Sequence, residues 1–550
     1  MKPYVTLPGS DRDLLPDSRP AGSVDPTEIA SLTVRVRSVG DPATLAATGY
    51  KLAETPLAER CYLTHAELEQ RHGASHDDLD AVEHYANAHN LTIAHRSASE
   101  RTVVLTGKLG DLLSAFHANV QIYHHALGTY RGRRGEIGVP PVLASIVTGV
   151  FGFDTRPKLR SPRRNGSTVH DGPGGPNGMP ATEFAKRYKF PTASGDTPLD
   201  GTGQTIAIIE LGGGYRNSDL QLYFKEIGVP APTVSAISVD HAGNHPTTPD
   251  SADGEVMLDI EVAGAVCPGS KIAVYFAPNG GDRGFLDAIS AAVHDAQRKP
   301  SVISISWGGP ESHTDTQSIT AFHEVFAAAA ALGITVCVAA GDHGTADMAA
   351  GHWDKAVHVD HPSCDDLVLS CGGTQIANGA DVVWNDGTAF DPNVSGGNGW
   401  TTGGGISQAF GVPSYQSAIR MPAALAGGKP GRGVPDIAMS ATNYFTRVDA
   451  SEGPSGGTSA VAPLMAALAA RLNQAAGKRV GFLNPFLYMN AGKGVVQDVT
   501  VGTNAIKNTA PGYSAAIGWD ACTGLGTPDG AAILGLLQTP AATTVVLRGS

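Results

Sequence analysis

Gly456-Gly457-Thr458-Ser459-Ala460-Val461-Ala462-Pro463 is the stretch of sequence from which the rest of the chain is best interpreted. The residues after Ser459, as far as Leu472, are rich in Ala, Leu and Met and predict a helix. Ser459 is therefore expected at or just before a helix N-terminus, where unpaired N–H groups and the helix dipole favour negative charge. A serine placed there can be a nucleophile whose oxyanion forms near those donors. The simpler interpretation, a helix N-cap, stays open at this point.

Composition limits the class of protein. A chain of 550 residues is too long for one hydrophobic core, so we expect two domains. Charged residues make up only 17% and glycine reaches 68 residues, which indicates tightly turned globular domains. The formal net charge of −13 at pH 7 argues against nucleic-acid binding. No apolar run approaches membrane-spanning length, and Met1–Pro20 has no apolar signal-peptide core, so we expect neither a membrane span nor an ordinary signal peptide.

The cysteines carry little information about function. None of them forms a CxxC or Cys/His zinc pattern, so no cysteine-ligated metal site is predicted. Their spacing leaves two alternatives open, one or two disulfides or buried free thiols. The six positions are Cys61, Cys267, Cys337, Cys364, Cys371 and Cys522.

The first third of the chain predicts a small domain with a tail and a linker. Residues 1–26 are rich in Pro, Asp and Ser and predict a disordered tail. Residues 27–155 alternate short strands with helices, which predicts an α+β domain of ferredoxin-like form. Residues 156–180 are basic and rich in Gly and Pro, and predict an exposed, cleavable linker. The predicted strands are 31–39, 91–95, 101–106 and 120–123, and the predicted helices are 64–72, 75–89, 109–116 and about 140–149.

Residues 181–538 predict a second domain of α/β class, followed by a tail at 539–550. Its apolar strands show no polar alternation and are joined by helices, which is typical of a parallel sheet covered on both faces. Functional sites in such sheets lie at the carboxyl ends of the strands. Glu210, Trp307 and Asp342 each end or follow a predicted strand there.

Two acids, Glu255 and Asp259, share one face of a predicted helix. Their i,i+4 spacing places the Cβ atoms about 6 Å apart. The next positions on that face, Val262 and Ala263, are apolar, and burial of two like charges is unfavourable. A pair that shares one proton relieves both costs. The alternative is a solvated acidic face near a helix start.

Asp342 and His343 follow a predicted strand. An aspartate in that place is often an ordinary turn or capping residue. His343-Gly344-Thr345 is similar to the start of the histidine motif of subtilisins, but Ala346 follows where that motif has a second His. The step also lies at the end of a strand and not in a helix start, so we interpret the likeness as incidental.

Asp498 and Asp520 flank glycine-containing loops near the end of the chain. Two carboxylates and exposed backbone carbonyls suit Ca²⁺, which takes six to eight oxygen ligands. The alternative is a pair of ordinary turn aspartates.

Motifs throughout the chain resemble one family. The serine stretch resembles that of subtilisin-like proteases, and the whole set, in order over residues 200–530, resembles the narrower sedolisin family of serine-carboxyl peptidases. Residues from about 30 to 155, including Tyr130-Arg-Gly, resemble the activation pro-domain of its kumamolisin-like members. The matching motifs are Glu210-Leu-Gly-Gly-Gly, Gly254-Glu-x-x-x-Asp259-Ile-Glu, Ser304-Ile-Ser-Trp307-Gly, Ala340-Gly-Asp342, Cys371-Gly-Gly-Thr374, Gly457-Thr-Ser459-Ala and Gly518-Trp-Asp520-x-Cys-Thr-Gly.

The resemblance implies a subtilisin-like fold and a role for each matched residue. Ser459 matches the nucleophile, Glu255 its general base, and Asp259 the acid that orients Glu255 and shares its proton. Asp342 stands where subtilisins place an oxyanion-hole Asn. Further matches are Glu210 and Trp307, which extend the carboxylate network. Asp498, the carbonyls of Val499, Ala516 and Gly518, and Asp520 match one structural Ca²⁺ site, with Ala516 in place of a glycine. Apart from these matches, we regard Ser306, Gly308 and Asp360 as candidates for substrate binding.

The predicted function is an acid-acting serine-carboxyl endopeptidase made as a self-processing zymogen. Asp342 can donate a hydrogen bond to an oxyanion only while protonated, which near its reference pKa of about 3.9 requires acid. The expected partners are polypeptide substrates and the chain's own pro-domain, an intramolecular inhibitor and chaperone whose linker lies near the cleft and is cut within 160–180. We expect a secreted monomer, with no nucleic-acid or membrane partner.

Three other functions stay open. A His-dependent subtilisin-like protease would use His343. A catalytically dead relative would be a calcium-stabilised binding protein, although retention of Ser459, Glu255, Asp259 and Asp342 together argues against it. An aminopeptidase that releases tripeptides is less favoured than an endopeptidase.

Overall fold

The computed structural model describes residues 4–125, 128–157, 159–160, 178–348, 353–389 and 399–539. Most of the predicted linker and nearly all of the predicted C-terminal tail lie outside these residues. Within them, no helix combines the length and the apolar character needed to cross a membrane.

The N-terminal domain covers residues 4–157, and a short strand of the linker follows it. Its strands are β1 (Val5–Thr6), β2 (Arg19–Gly22), β3 (Ile29–Val36), β4 (Thr92–Ser97), β5 (Thr102–Lys108), β6 (Val120–His125), β7 (Gly128–Arg133), β8 (Gly138–Val139), β9 (Val147–Phe151) and, in the linker, β10 (Leu159–Arg160). Its helices are α1 (Pro42–Glu54), α2 (His65–His72), α3 (His76–Ala88) and α4 (Leu109–Phe116).

The core of this domain is an antiparallel sheet with strand order β4-β5-β3-β9. Leu32 and Val34 of β3 are fully buried and pack with Leu112 and Phe116 of α4. The central succession, from β3 through helices to β4 and β5 and then through α4 to β9, follows the β-α-β-β-α-β pattern. The ferredoxin-like prediction is therefore confirmed.

Three features of this domain differ from the sequence-based expectations. Residues 4–26 are not disordered, because β1 pairs with β8, β2 pairs with β6, and Leu7 and Leu15 are buried. The predicted helix near 140–149 is a turn that leads into β9, whose backbone pairs with β3. Helix α1 was not predicted, although Asp41 caps it and Pro42 occupies its first position, both ordinary start signals.

The C-terminal domain covers the described residues from 178 onward. Its strands are β11 (Ala193–Ser194), β12 (Thr197–Pro198), β13 (Thr205–Glu210), β14 (Thr233–Ser238), β15 (Lys271–Phe276), β16 (Val302–Ile305), β17 (Trp307–Pro310), β18 (Thr335–Ala339), β19 (Asp360–His361), β20 (Leu369–Ala377), β21 (Ala380–Val383), β22 (Gly405–Ile406), β23 (Gly433–Val434), β24 (Ile437–Ser440), β25 (Tyr444–Val448), β26 (Ser451–Ser455), β27 (Val496–Gln497) and β28 (Thr527–Pro528). Its helices are α5 (Ala181–Arg187), α6 (Asn217–Glu226), α7 (Asp253–Val266), α8 (Asp282–His294), α9 (Thr316–Ala331), α10 (Thr458–Ala476), α11 (Asn484–Asn490) and α12 (Gly530–Gln538).

A large sheet organises this domain. Strands β14-β15-β13-β16-β18-β20 are parallel neighbours in that order, and β20 continues to β24 in parallel and to β21 antiparallel. Alternate residues of β13 enter two different cores. Ile206 and Ile208 pack with α7 and α10, whereas Ala207 and Ile209 pack with α8 and α9. The prediction of a parallel sheet with helices on both faces is confirmed.

The N-terminal domain docks on the α8–α9 face through apolar packing and ion pairs. Helix α1 lies against α9, where a Cβ added to Gly49 would stand 2.8 Å from the Cβ of Ala330. Around this contact, arginines of the N-terminal domain meet acids of the C-terminal domain. The pairs are Arg12 with Asp282 at 2.5 Å, Arg133 with Asp315 at 2.7 Å, and Arg35 and Arg101 with Glu324.

All six cysteines are free thiols; Cys61 is exposed and the others are buried. Of the two alternatives left open by the sequence, the structure supports free thiols. Cys364 and Cys371, which are close in sequence, are both fully buried.

Candidate active site

Ser459 lies in the first turn of α10. Gly457 caps the helix with a φ of 108°, a conformation that favours glycine. A Cβ added to Gly456 would stand 2.3 Å from the carbonyl oxygen of Ala441, so this position also requires glycine. Ser459 is fully buried, and among the described residues its Oγ has no hydrogen-bond partner. The glycine pair therefore allows the Ser459 hydroxyl to lie at a helix N-terminus without a capping hydrogen bond to the helix backbone.

Asp342 follows β18 and is tied to the same helix N-terminus. Its Oδ1 accepts hydrogen bonds from the backbone N–H and the Oγ1 hydroxyl of Thr458, each at 2.7 Å. Thr458 also contacts the backbone of Gly341, so it joins the end of β18 to the start of α10. No role for Thr458 was predicted from the sequence. Its position between Gly457 and Ser459 in the serine motif is the feature of the sequence that could have indicated a role at the site.

Helix α7 brings Glu255 and Asp259 into the protein interior. Glu255 is 1% and Asp259 is 0% exposed, so the alternative of a solvated acidic face is wrong. The Ser306 hydroxyl lies 2.9 and 3.1 Å from the two carboxylate oxygens of Asp259. The same hydroxyl lies 3.3 Å from the backbone oxygen of Ser459. Ser306, expected only as a substrate-binding candidate, thus connects Asp259 to the start of α10.

Glu210 and Trp307 extend this group of acids. The Trp307 Nε1–H donates to Glu210 Oε2 at 3.0 Å, and both side chains are buried. Burial and the nearby Glu255 raise the pKa of Glu210 well above its ordinary value, against the opposing effect of the Trp307 donor. Burial and the nearby Glu210 likewise raise the pKa of Asp259. Acids arranged in this way hold protons in common and do not all ionise.

His343 has different surroundings. It is 6% exposed, and its ring lies over that of Trp400, with the ring centroids 4.7 Å apart. Burial lowers the pKa of His343 to about 4. The contact with Trp400 agrees with the interpretation that the likeness to a catalytic histidine motif is incidental.

A small three-stranded sheet, with strand order β10-β17-β19, lies beside these residues. Strand β17 pairs antiparallel with β19 on one side and with β10 of the linker on the other, Leu159 lying opposite Gly308 and Arg160 opposite Trp307. A Cβ added to Gly308 would stand 2.3 Å from Oδ2 of Asp360, so these two substrate-binding candidates lie together. An extended peptide that adds a strand to an exposed edge makes this kind of contact.

The candidate calcium ligands also come together. The Gly518 N–H donates to Oδ2 of Asp498 at 2.8 Å, and the Ala516 N–H donates to Oδ2 of Asp520 at 3.0 Å. Asp520 is 3% exposed, and burial raises its pKa despite several backbone donors. Two carboxylates that contact the same short loop, one of them buried, are the kind of oxygen ligands that a hard cation such as Ca²⁺ takes. Val499, the fifth candidate, is buried beside Asp498.

Comparison with protein families gives two matches. Residues 16–156 match the pro-kumamolisin activation domain, and residues 242–519 match the subtilase family. Kumamolisin from Bacillus sp. (strain MN-32) is 43% identical over 96% of this chain and 95% of its own length.

Two other relatives are more distant. The tripeptidyl-peptidase sed5 of Aspergillus fumigatus is 29% identical over 95% of this chain and 96% of its own length. A solved structure of Pseudomonas sedolisin, a serine-carboxyl proteinase complexed with two molecules of pseudo-iodotyrostatin, superposes with a TM-score of 0.56. It is 27% identical and covers 66% of this chain and 99% of its own.

The raised pKa of Glu210 gives a prediction about stability and pH. Below its ordinary value of 4.5 the carboxyl is protonated in both the folded and the unfolded chain. As the pH rises above that value, only the folded state keeps the proton. The free energy of unfolding therefore decreases with pH until the pH reaches the pKa of Glu210 in the folded state. We therefore expect Glu210→Gln, in a Ser459→Ala chain, to raise the Tm at about pH 7.5 and to change it little at about pH 4.

Thermal unfolding at the two pH values measures this difference. Glu226→Gln is the matched control, since Glu226 is exposed at the end of α6 and should leave the Tm unchanged at both. An equal effect of Glu210→Gln at both pH values would contradict the raised pKa.

Proposed function

Because this chain belongs to the sedolisin family of serine-carboxyl peptidases, we propose that it hydrolyses peptide bonds through an acyl-enzyme on Ser459, with Glu255 as general base. The chain is a serine-type peptidase with an activation domain at its N-terminus. The observation that carries the proposal is the burial of Glu210, Glu255 and Asp259 as one group of acids beside the start of α10.

The first half of the reaction forms the acyl-enzyme. The Ser459 Oγ attacks the peptide carbonyl carbon while its proton passes to the Glu255 carboxylate. The oxyanion that forms lies near the N-terminus of α10 and accepts a hydrogen bond from protonated Asp342. The proton then passes from Glu255 to the leaving nitrogen, the C–N bond breaks, and the amine product departs.

The second half restores the enzyme. A water molecule attacks the acyl carbon, and Glu255 takes its proton. The bond between Ser459 Oγ and the acyl carbon breaks, the proton returns to Oγ, and the carboxylic acid product leaves. In each half of the reaction Glu255 first accepts a proton and then donates it. The free-energy difference between its protonated and ionised forms must therefore be small.

The neighbouring side chains support this exchange. Carboxylate is a weaker base than imidazole, so it serves only when it is held in place and partly desolvated. Two further acids lie in the same group as Glu255. Asp259 is positioned by Ser306, and Glu210 is positioned by Trp307. A proton shared among them lets Glu255 change its charge without leaving an unpaired ion in the core.

The requirement for a protonated Asp342 makes the proposed activity acid-dependent. An ionised Asp342 would repel the oxyanion instead of donating to it. Thr458 donates to Oδ1 in either state, so the carboxyl keeps its orientation when it gains a proton. Activity is therefore expected to fall towards neutral pH.

The activation domain and linker are proposed to block the site until processing. Leu159 and Arg160 pair with the edge of β17, which a peptide substrate needs. The precursor therefore holds its own linker in place of a polypeptide substrate. The proposed cut, within 160–180, leaves that strand on the activation domain, which is then held by non-covalent contacts alone and can leave the site together with the strand.

A calcium ion is proposed at Asp498 and Asp520, with the carbonyls of Val499, Ala516 and Gly518. Both carboxylates already contact the 516–518 loop, so an ion there would link β27 to the segment before β28. Its role would be structural, and a shift of the Tm on calcium addition after chelation tests it. A monomeric, secreted enzyme is proposed from family membership alone, with gel filtration and fractionation as the tests.

Self-processing tests the catalytic assignment. We expect the wild-type precursor to shorten at about pH 4 and not at about pH 7.5, because only acid protonates Asp342. Ser459→Ala and Glu255→Gln should both stay intact, since each removes an atom that the first step requires. A time course on a denaturing gel measures the cut.

Glu261→Gln is the matched control for Glu255→Gln. Glu261 lies on the same helix, is fully buried, and accepts from the Arg447 N–H, a contact that a glutamine oxygen keeps. It should therefore process like the wild type. Processing of Glu255→Gln at the wild-type rate would exclude Glu255 as the base.

The interface acids predict how pH loosens the activation domain. Burial alone would raise the pKa of Glu324, but Arg101 and Arg35 outweigh it and hold that pKa below its ordinary value. A carboxyl whose pKa is lower in the docked state stabilises docking at pH values above its ordinary pKa. That stabilisation is lost as the pH falls through the pKa of the docked carboxyl. Asp287 and Asp366, whose pKa values burial raises, act in the opposite direction, so a substitution at Glu324 is needed to isolate its own contribution.

Glu324→Gln should therefore weaken docking at neutral pH, by more than about tenfold, and little at about pH 3. The measurement is the dissociation constant of the two domains after added trypsin has cut the linker of a Ser459→Ala chain. Glu183→Gln, at an exposed pair with Lys186, is the control. Equal weakening at both pH values would show that charge pairing is not the cause.

A further inference from the structure

A cluster of two histidines and an aspartate lies apart from the proposed catalytic acids. His313 ends the short turn after β17, and Asp354 and His358 lie in the segment before β19. Nε2 of His358 is 2.9 Å from Oδ1 of Asp354, and Nε2 of His313 is 3.7 Å from Oδ2 of the same carboxylate. One candidate ligand atom from each of the three residues lies within 4.8 Å of the other two.

We propose that His313, Asp354 and His358 form a binding site for a divalent transition-metal ion of the zinc type. Two imidazoles and one carboxylate are a donor set that zinc takes, with a fourth position left for water. Bonds of about 2.0 Å in a tetrahedral arrangement set neighbouring ligand atoms about 3.3 Å apart. The two observed distances lie on either side of that value, so small shifts of the side chains make room for the ion.

The surroundings of His358 hold its ring in the orientation that a ligand needs. The Ser312 Oγ is 2.8 Å from Nδ1 of His358, the nitrogen that points away from Asp354. The His358 side chain is only 3% exposed, so it has little freedom to turn. A hydrogen bond at the far nitrogen, which leaves Nε2 to the ion, is the usual second contact of a metal-bound histidine.

Asp354 is held by the turn in which it lies. Its Oδ1 accepts from the Ala356 N–H at 2.9 Å, and the Trp353 Nε1–H closes the same turn on the Ala356 carbonyl at 2.6 Å. The carboxylate is therefore fixed by short-range contacts. Its side chain is 15% and that of His313 is 17% exposed, which leaves a route for an ion from solvent.

A second cluster, His323 with Asp365 and Asp366, has a similar set of side chains but is an ion pair and not a candidate metal site. Burial opposes the charge on His323, but the two aspartates outweigh it and raise its pKa to about 9. That imidazole is protonated at neutral pH and has no lone pair for a metal. The Tyr50 hydroxyl also donates to Asp366 at 2.5 Å, which occupies the carboxylate.

The proposed ion would brace the pairing of β17 with β19, the strands beside the proposed catalytic residues. Strands β17 and β19 pair through Gly309 with His361 and through Pro310 with Asp360. The three ligands come from the segments directly after β17 and directly before β19. An ion there joins those two segments and fixes the start of β19, where Asp360 lies against Gly308. This consequence rests on the proposed function, whereas metal binding itself does not.

The test measures metal binding by the full-length Ser459→Ala precursor, which stays uncut. At about pH 7.5, where a free imidazole is mostly neutral, and with calcium in excess to fill the other site, Zn²⁺ is titrated against a coloured chelator. We expect one tightly bound Zn²⁺ per chain. His358→Gln and His313→Gln should each weaken binding about 100-fold, and Ser312→Ala about tenfold, since it removes only the orienting contact.

His323→Gln is the matched control and should bind as the parent chain does. His313 is partly exposed, so His313→Gln keeps the test valid if His358→Gln fails to fold. The visible spectrum of bound Co²⁺ gives an independent readout, an intense tetrahedral band that His313→Gln should abolish. The proposal would be overturned by any of three results: the parent chain binds no stoichiometric Zn²⁺, His313→Gln still binds it, or His323→Gln loses it.

Discussion

The rest of the structure depends on keeping several carboxyl groups uncharged, or sharing protons, inside one protein core. Helix α7 is buried along its whole length and carries Glu255 and Asp259 with it. Glu210 ends the strand beside them, and Trp307 and Ser306 supply the donors that hold the outer two acids. Two ionised carboxylates in such a place would repel each other with nothing to screen them. The fold therefore favours protonated acids, which is the basis of the acid dependence that we propose for this serine peptidase.

The same constraint explains the arrangement around α10. The helix starts with Ser459 in its first turn, and Thr458, the residue before it, is hydrogen-bonded to Asp342. Gly456 and Gly457 permit the close turn, and Thr458 ties Asp342 to the helix. The activation domain covers the opposite face, on α8 and α9, with arginines set against Asp282, Asp315 and Glu324. Of its linker, the described residues Leu159 and Arg160 form a strand added to β17.

Much of this could be predicted from the sequence. The apolar strand 204–210, the serine stretch and the i,i+4 pair of acids are local patterns, and each lies where its pattern predicts. The contacts between them are not local. Ser306 meets Asp259 across 47 residues and Thr458 meets Asp342 across 116, distances at which one sequence holds no signal beyond resemblance. The tail 4–26 was missed for the same reason, since Leu7 and Leu15 are buried by strands more than a hundred residues away.

The pH dependence of peptide hydrolysis by the processed enzyme tests the central claim most directly, measured for the wild type and for His343→Ala. We expect kcat/KM to be highest in acid and to fall towards neutral pH, because Asp342 must be protonated. We also expect His343→Ala to follow nearly the same curve, since His343 lies against Trp400. Activity that rises through about pH 7 and disappears in His343→Ala would contradict the account and assign the reaction to an imidazole base.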